Sequence, residues 1–168
     1  MSKPAAKPWI AAIHAYKPGK ASADDGRPLI MLSANENPLG TSAAAMAAIA
    51  GVREPAARYA GPACPQLRGA LGALHGLDPA RIVCGTGSGE LLHCAVQAFA
   101  GAGDEVLFSR YSFSLYPLIA HKVGAIPVSA PDKDYAADVD ALLAAVTPRT
   151  RVVLFDNPNN PTATFVSP

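Results

Sequence analysis

Charge is scarce in this chain of 168 residues: only 16% are Asp, Glu, Lys or Arg, and the formal net charge is +1. So weak a balance offers no basic patch for nucleic acid, while a hydrophobic fraction of 50% excludes disorder by composition. Cysteine is sparse too, with Cys64, Cys84 and Cys94 forming no C-x-x-C pair and leaving an odd residue. Buried, reduced thiols are expected rather than disulfides or metal ligands. His14, His75, His93 and His121 are scattered without H-E-x-x-H spacing, so no metal site is assigned. The longest N-terminal apolar run, Trp9 to Ala15, is broken by His14, and no stretch approaches the length of a membrane span. These absences lead to the expectation of a cytoplasmic protein with no membrane and no nucleic-acid partner.

What the sequence does contain is a glycine-rich turn in a strong context. Ile82, Val83 and Cys84 form a short apolar run, and Leu91, Leu92, Ala95, Val96 and Phe99 then recur at helical spacing. The reading is strand, turn, helix, with the turn at Gly85-Thr86-Gly87-Ser88-Gly89-Glu90 and Ser88 as a candidate cap. Free N–H groups at such a helix start favour a bound phosphate. A Walker A loop is excluded, because the turn ends Gly-Glu-Leu rather than Gly-Lys-Ser/Thr. The dinucleotide pattern fails at Glu90 unless Arg110 reads a 2′-phosphate, and a nucleophile elbow on Ser88 fails at Thr86 and Glu90. A purely structural βα turn stays open at this point.

In chain order, residues 17–28 read as an irregular lead-in, and Leu29 to Leu32 as a short strand before the turn at Asn37-Pro38. Thr41 or Ser42 caps a helix to Ala50 with Met46 and Ile49 inward, and Pro65 begins a helix to His75 with Leu67, Leu71 and Leu74 on one face. Strands are expected at Val106–Phe108, Ala125–Val128 and Arg151–Phe155, the last covered on both faces, with a helix Val139–Val146 capped by Asp138. Phe113 and Tyr116 either face a ligand at a strand end or simply point inward at i, i+3. The alternation from residue 81 onward predicts an α/β fold with a mainly parallel sheet flanked by helices.

Four motifs in order, NENPLG at 35–40, GTGSGE at 85–90, RYSFSLY at 110–116 and NPNNPTA at 157–163, resemble those of fold-type I, pyridoxal-phosphate-dependent aminotransferases of class I/II. With His14 to Lys20 similar to an N-terminal arm, the chain most resembles the histidinol-phosphate aminotransferase family. The resemblance implies the cofactor pyridoxal 5'-phosphate, an amino donor and a 2-oxo acid as partners, and a homodimer. It implies a division into an arm and lead-in at 1–40 and the N-terminal part of the large cofactor-binding domain at 41–168, incomplete at the C-terminus. Ser88, Gly89 and Glu90 would lie at the cofactor phosphate, Phe113 on the pyridine ring and Asn160 at its phenolic oxygen. Tyr59 would reach the phosphate in the other subunit, and Tyr16, Asn37 and Gly40 would lie near the substrate. The implied reaction moves an amino group between histidinol phosphate and 2-oxoglutarate. Related aminotransferases, threonine-phosphate decarboxylases and a non-catalytic truncated remnant share these motifs.

The chain departs from the family pattern in four places. The family usually carries aspartate at Gly89, proline at Tyr111, Tyr-Pro-Asp or Tyr-Pro-Glu at Tyr59-Ala60-Gly61, and glycine at Ala163. Ala163 is expected to be strained if its φ is positive. None of Lys3, Lys7, Lys17, Lys20, Lys122 or Lys133 stands in the family's Schiff-base context, so no catalytic residue is assigned and the chain alone is expected to be inactive.

Overall fold

The computed structural model describes residues 4–14, 22–32, 34–52, 57–59, 61 and 63–167. They fall into two compact units, one of residues 15–82 and one of residues 1–14 with 83–168.

In the first unit, helix α2 (Ala43–Gly51) begins where sequence chemistry places it. The Ser42 side chain accepts from the N–H of Ala45 at 3.2 Å, satisfying one of the four unpaired donors of a helix start. Met46 and Ile49, expected to face inward, are instead exposed, because alanine on every side leaves this helix without a distinct apolar stripe. Helix α3 (Pro65–His75) starts on Pro65 and ends on Gly76, whose φ of 65° is left-handed. Of the expected face, Leu67 and Leu74 are exposed, and the buried residue is Gly72. A Cβ there would stand 2.7 Å from the carbonyl oxygen of Leu77, so only glycine lets the following chain return so closely. Residues 29–32 form no strand; the preceding residue, Pro28, makes an isolated bridge with Ser22.

The second unit contains α1 (Pro8–Ala11), α4 (Ser88–Phe99), β1 (Glu105–Ser109), α5 (Leu115–Val123), β2 (Ile126–Ala130), the short strands β3 (Asp132–Lys133) and β4 (Ala136–Ala137), α6 (Val139–Ala144) and β5 (Thr150–Leu154). The three longer strands form a parallel sheet in the order β2-β1-β5. β1 is buried along its whole length. Its alternate side chains face two layers: Val106 and Phe108 pack with Val96 of α4 and Tyr116 and Ile119 of α5, while Leu107 packs with Leu142 of α6.

Two expectations about strands are corrected here. Residues 82–84 pair with no described strand, although Ile82 is extended, and Val83 is exposed; an apolar run becomes a strand only where a neighbour accepts its ladder bonds. β5 is covered on one face rather than two. Val152 and Leu154 join the core, whereas Val153 and Phe155 border an apolar cleft of about 250 Å³ with Leu107, Leu142 and Leu143. Phe99 and Cys94 of α4 are also exposed, leaving Val96 as its buried anchor.

At the N-terminal edge of the sheet Glu105, only 3% exposed, accepts from Thr147 Oγ1 at 2.5 Å and from Arg149 Nε at 2.9 Å. The Thr147 hydrogen bond, and the neighbouring Arg149 guanidinium, hold its carboxyl below the usual value of 4.5 despite burial. A carboxyl depressed in the folded state stabilises above its unfolded pKa, and that stabilisation is lost as pH falls through the folded value. Urea unfolding from about pH 7 to about pH 3 is therefore expected to show stability falling below about pH 4.5, with Glu105→Gln reducing the slope; equal slopes would remove Glu105 from the acid response.

Candidate functional site

The start of α4 follows from Gly87, whose φ of 145° and ψ of 170° belong to a region that residues with a Cβ avoid. Gly87, not Ser88, is the capping residue, and no side chain caps the helix; Ser88 is its first residue. The N–H groups of Ser88, Gly89 and Glu90 donate to no described residue, the first helical bond running from Leu91 N–H to the Gly87 carbonyl at 3.4 Å. Glu90 folds back, accepting from the Thr86 N–H at 2.6 Å and its Oγ1 at 2.9 Å, and the backbone bond chiefly holds its carboxyl low. At Gly85 a Cβ would stand 2.7 Å from Glu90 Oε2 and 3.1 Å from Leu91 Cδ2, so the glycine gives these side chains room. At Gly89 a Cβ would stand 3.4 Å from Leu115 Cδ2, an ordinary contact, so the missing side chain there is not demanded by crowding. Three aligned donors at a helix start can hold a phosphate or carboxylate.

Beside it, the loops that follow β1 and β5 meet at the carboxyl ends of those strands. In open α/β sheets that is where ligands bind. Asn159, only 5% exposed, ties them: its Nδ2 donates to the Tyr111 carbonyl at 3.0 Å and to Thr162 Oγ1 at 2.6 Å. Its backbone completes the turn, with Asn159 N–H to the Thr164 carbonyl and Ala163 N–H to the Asn159 carbonyl, both at 2.8 Å. Asn157 clasps the outgoing chain through both backbone groups of Val166, at 2.9 and 3.0 Å. Asn160 differs. Its N–H donates to Asp156 Oδ2 at 2.9 Å, but its side-chain amide bonds to no described residue. Two buried acceptors nearby in sequence, Asp156 Oδ1 and Asn159 Oδ1, also lack partners.

Phe113 is half-buried, its ring edge-on to Tyr116 at 5.9 Å and 85°. Tyr116 points inward as one expectation had it, while Phe113 borders a cavity of about 460 Å³ with Arg110, Tyr111, Tyr135 and Pro161. Burial, followed by the negative charge of Asp156, pushes the Tyr116 phenol up to about 12, so it stays neutral at physiological pH.

In the other unit, Asn37 shapes its own turn, donating from Nδ2 to the Gly40 carbonyl at 3.1 Å and accepting from Leu39 N–H at 3.0 Å. Gly40 has a φ of 76°, and Tyr59 is fully exposed. Tyr16 lies outside the described residues. Sequence reasoning missed Asp156, Asn159 and Asp132, which act through backbone contacts that their own residue types do not announce.

A parallel α/β domain with three open N–H donors at a helix start, and loops that meet at the carboxyl ends of its strands, is of the class that holds anionic ligands at that edge. Residues 27–168 match the aminotransferase class I and II family, and the chain belongs to it. Among similar proteins, histidinol-phosphate aminotransferase of Erythrobacter litoralis is 61% identical over 98% of this chain and 45% of its own length. That of Sphingopyxis alaskensis is 57% identical over 96% of this chain and 44% of its own. The crystal structure of histidinol-phosphate aminotransferase from Sinorhizobium meliloti in complex with pyridoxal-5'-phosphate superposes with a TM-score of 0.83 at 29% identity, over 92% of this chain and 42% of that one. The chain thus spans less than half the length of these relatives. Among the described residues no helix is long and apolar enough to cross a membrane, and no cluster of metal-ligating side chains occurs.

Ala163 has the positive φ, 57°, that its position in the motif raised as a possibility. A left-handed residue with a Cβ costs about 1–2 kcal/mol, against which glycine loses about 0.5–1 kcal/mol of chain entropy. Ala163→Gly is accordingly expected to raise stability by up to about 1 kcal/mol and Gly87→Ala to lower it by about 1–3 kcal/mol in denaturant titrations; the opposite signs would contradict these backbone assignments.

Proposed function

We propose that the chain forms the N-terminal part of a pyridoxal 5'-phosphate-dependent aminotransferase that moves an amino group between histidinol phosphate and 2-oxoglutarate in histidine biosynthesis. The observation that carries this reading is the division of labour in residues 157–163: Asn159 is engaged in the turn, and Asn160 keeps a side-chain amide that bonds to no described residue. With the three open N–H groups of α4, that amide supplies donors, which suit a flat, anionic cofactor.

When bound, pyridoxal phosphate supplies the electron sink for amino-group exchange. Ser88, Gly89 and Glu90 hold its phosphate through backbone N–H groups. Phe113 covers a face of the ring and helps exclude water from it. Asn160 donates from its amide to the phenolic oxygen, stabilising negative charge there. Tyr59 reaches the phosphate from the second subunit of a homodimer, and Tyr16, Asn37 and Gly40 border the substrate. The division into an arm at 1–40 and a cofactor domain at 41–168 belongs to the same reading. No lysine in this chain is assigned to carry the cofactor; that lysine is placed in the part of the relatives that this chain does not span. On its own the chain is inactive, and the whole enzyme works in the cytoplasm.

The test uses a version extended to the relatives' full length. It is expected to convert histidinol phosphate with 2-oxoglutarate, and Asn160→Ala is expected to weaken cofactor affinity roughly ten- to a hundred-fold, the worth of about 1.5–3 kcal/mol for a hydrogen bond to a charged group. Asn159→Ala should instead lower the melting temperature. Unchanged cofactor affinity in Asn160→Ala would remove that residue from the site, and failure to use histidinol phosphate would overturn the substrate assignment.

A further inference from the structure

The turn that carries Phe113 is gripped by a hairpin that no motif announces. Asp132, at the start of β3, accepts from the N–H of Arg110 through Oδ1 at 3.0 Å and from the N–H of Tyr111 through Oδ2 at 2.9 Å. The Arg110 N–H also reaches the Ala130 carbonyl at 2.9 Å, so the grip continues the β1–β2 ladder one step into the loop. In the next peptide unit the Tyr111 carbonyl accepts from Asn159 Nδ2 at 3.0 Å. Ser112 then closes the turn, its N–H at 3.2 Å and its Oγ at 2.6 Å from the Ser109 carbonyl.

A second contact from the same hairpin reaches the same turn. Asp134 and Tyr135, between β3 and β4, have φ of 51° and 60°, a pair of left-handed residues in a two-residue hairpin turn. A bulky aromatic residue is rare in that conformation. Here its ring lies against Tyr111 at 5.2 Å, and its carbonyl accepts from Thr164 Oγ1 at 2.8 Å. The unfavourable backbone of Tyr135 thus coincides with contacts to both loops of the site.

Both contacts fall on the residue pair that leads into Phe113: the Tyr111 N–H is one of the two that Asp132 holds, and the Tyr111 ring packs on Tyr135. We propose that Asp132 and Tyr135 are positioning residues that hold the 110–112 backbone so that Phe113 is presented to the cofactor ring. The inference rests on the proposed role of Phe113.

The test is a double-mutant cycle in the version extended to the relatives' length, read by pyridoxal phosphate affinity and by the circular dichroism of the bound cofactor. Asp132→Asn keeps the shape but loses one acceptor, so affinity should fall about two- to ten-fold, the range of one hydrogen bond, and the cofactor signal should change. In a Phe113→Ala background the same change should have no further effect. Tyr135→Gly relieves the left-handed backbone, so it should hold or raise the melting temperature and still loosen the cofactor. That combination is not produced by a merely structural role. An equal loss in both Phe113 backgrounds, or parent-like affinity in Asp132→Asn and Tyr135→Gly, would overturn the positioning role while leaving the cofactor reading intact. A parent protein that binds no pyridoxal phosphate would overturn both.

Discussion

The side-chain amide of Asn159 joins the loops that follow two neighbouring strands, and the geometry of the site depends on that junction. It is nearly buried, donates to the Tyr111 carbonyl of one loop and to Thr162 of the other, and sits in a turn closed by its own backbone. A buried amide whose Nδ2 is bonded to both loops specifies one arrangement, because breaking either bond would leave a desolvated group unpaired. The β1 loop, the β5 loop and the β3–β4 hairpin are thereby held as one polar cluster, through Asp132, Asn159 and Thr164. The sheet below contributes the other half of the constraint. β1 is buried along its whole length between α4 and α5 on one side and α6 on the other, so the strand ends carrying the loops have little freedom.

Local chemistry was the legible part of the sequence. Ser42 and Asp138 cap helices, Pro65 begins one, and β1 falls where a glycine-aspartate turn precedes an apolar run, because each signal acts within a few residues. The parallel sheet followed from the alternation of strand and helix. Illegible were features decided by distant partners. Residues 82–84 and 29–32 are apolar enough for strands, yet no described segment pairs with them as one. The β3–β4 turn lacks the Asn-Gly or Asp-Gly pair that announces a tight hairpin, using Asp134-Tyr135 instead. Asn159 and Asn160 are the same residue type side by side, and only the fold decides which amide is engaged and which is left open.

Departures from the family pattern are absorbed in different ways. At Gly89 the backbone donor is kept and only a side chain is missing, in a position with room for one. At Ala163 the left-handed backbone is kept with a residue poorly suited to it, held by the bond from its own N–H to the Asn159 carbonyl. At Tyr111 the N–H that proline would lack is used by Asp132, and the added ring packs on Tyr135 and lies 6.0 Å from the Arg110 guanidinium.

The central claim is that the open N–H groups of α4 and the free amide of Asn160 form one ligand-binding edge, with Asn159 as its internal brace. Amide NMR of the version extended to the relatives' length, titrated with pyridoxal phosphate, addresses it directly. The largest shifts should fall on the backbone N–H signals of Ser88, Gly89 and Glu90 and on the side-chain amide of Asn160, with the Asn159 side-chain amide nearly unmoved. Shifts centred on the Asn159 amide, or a silent α4 start while the cofactor binds elsewhere, would contradict the claim.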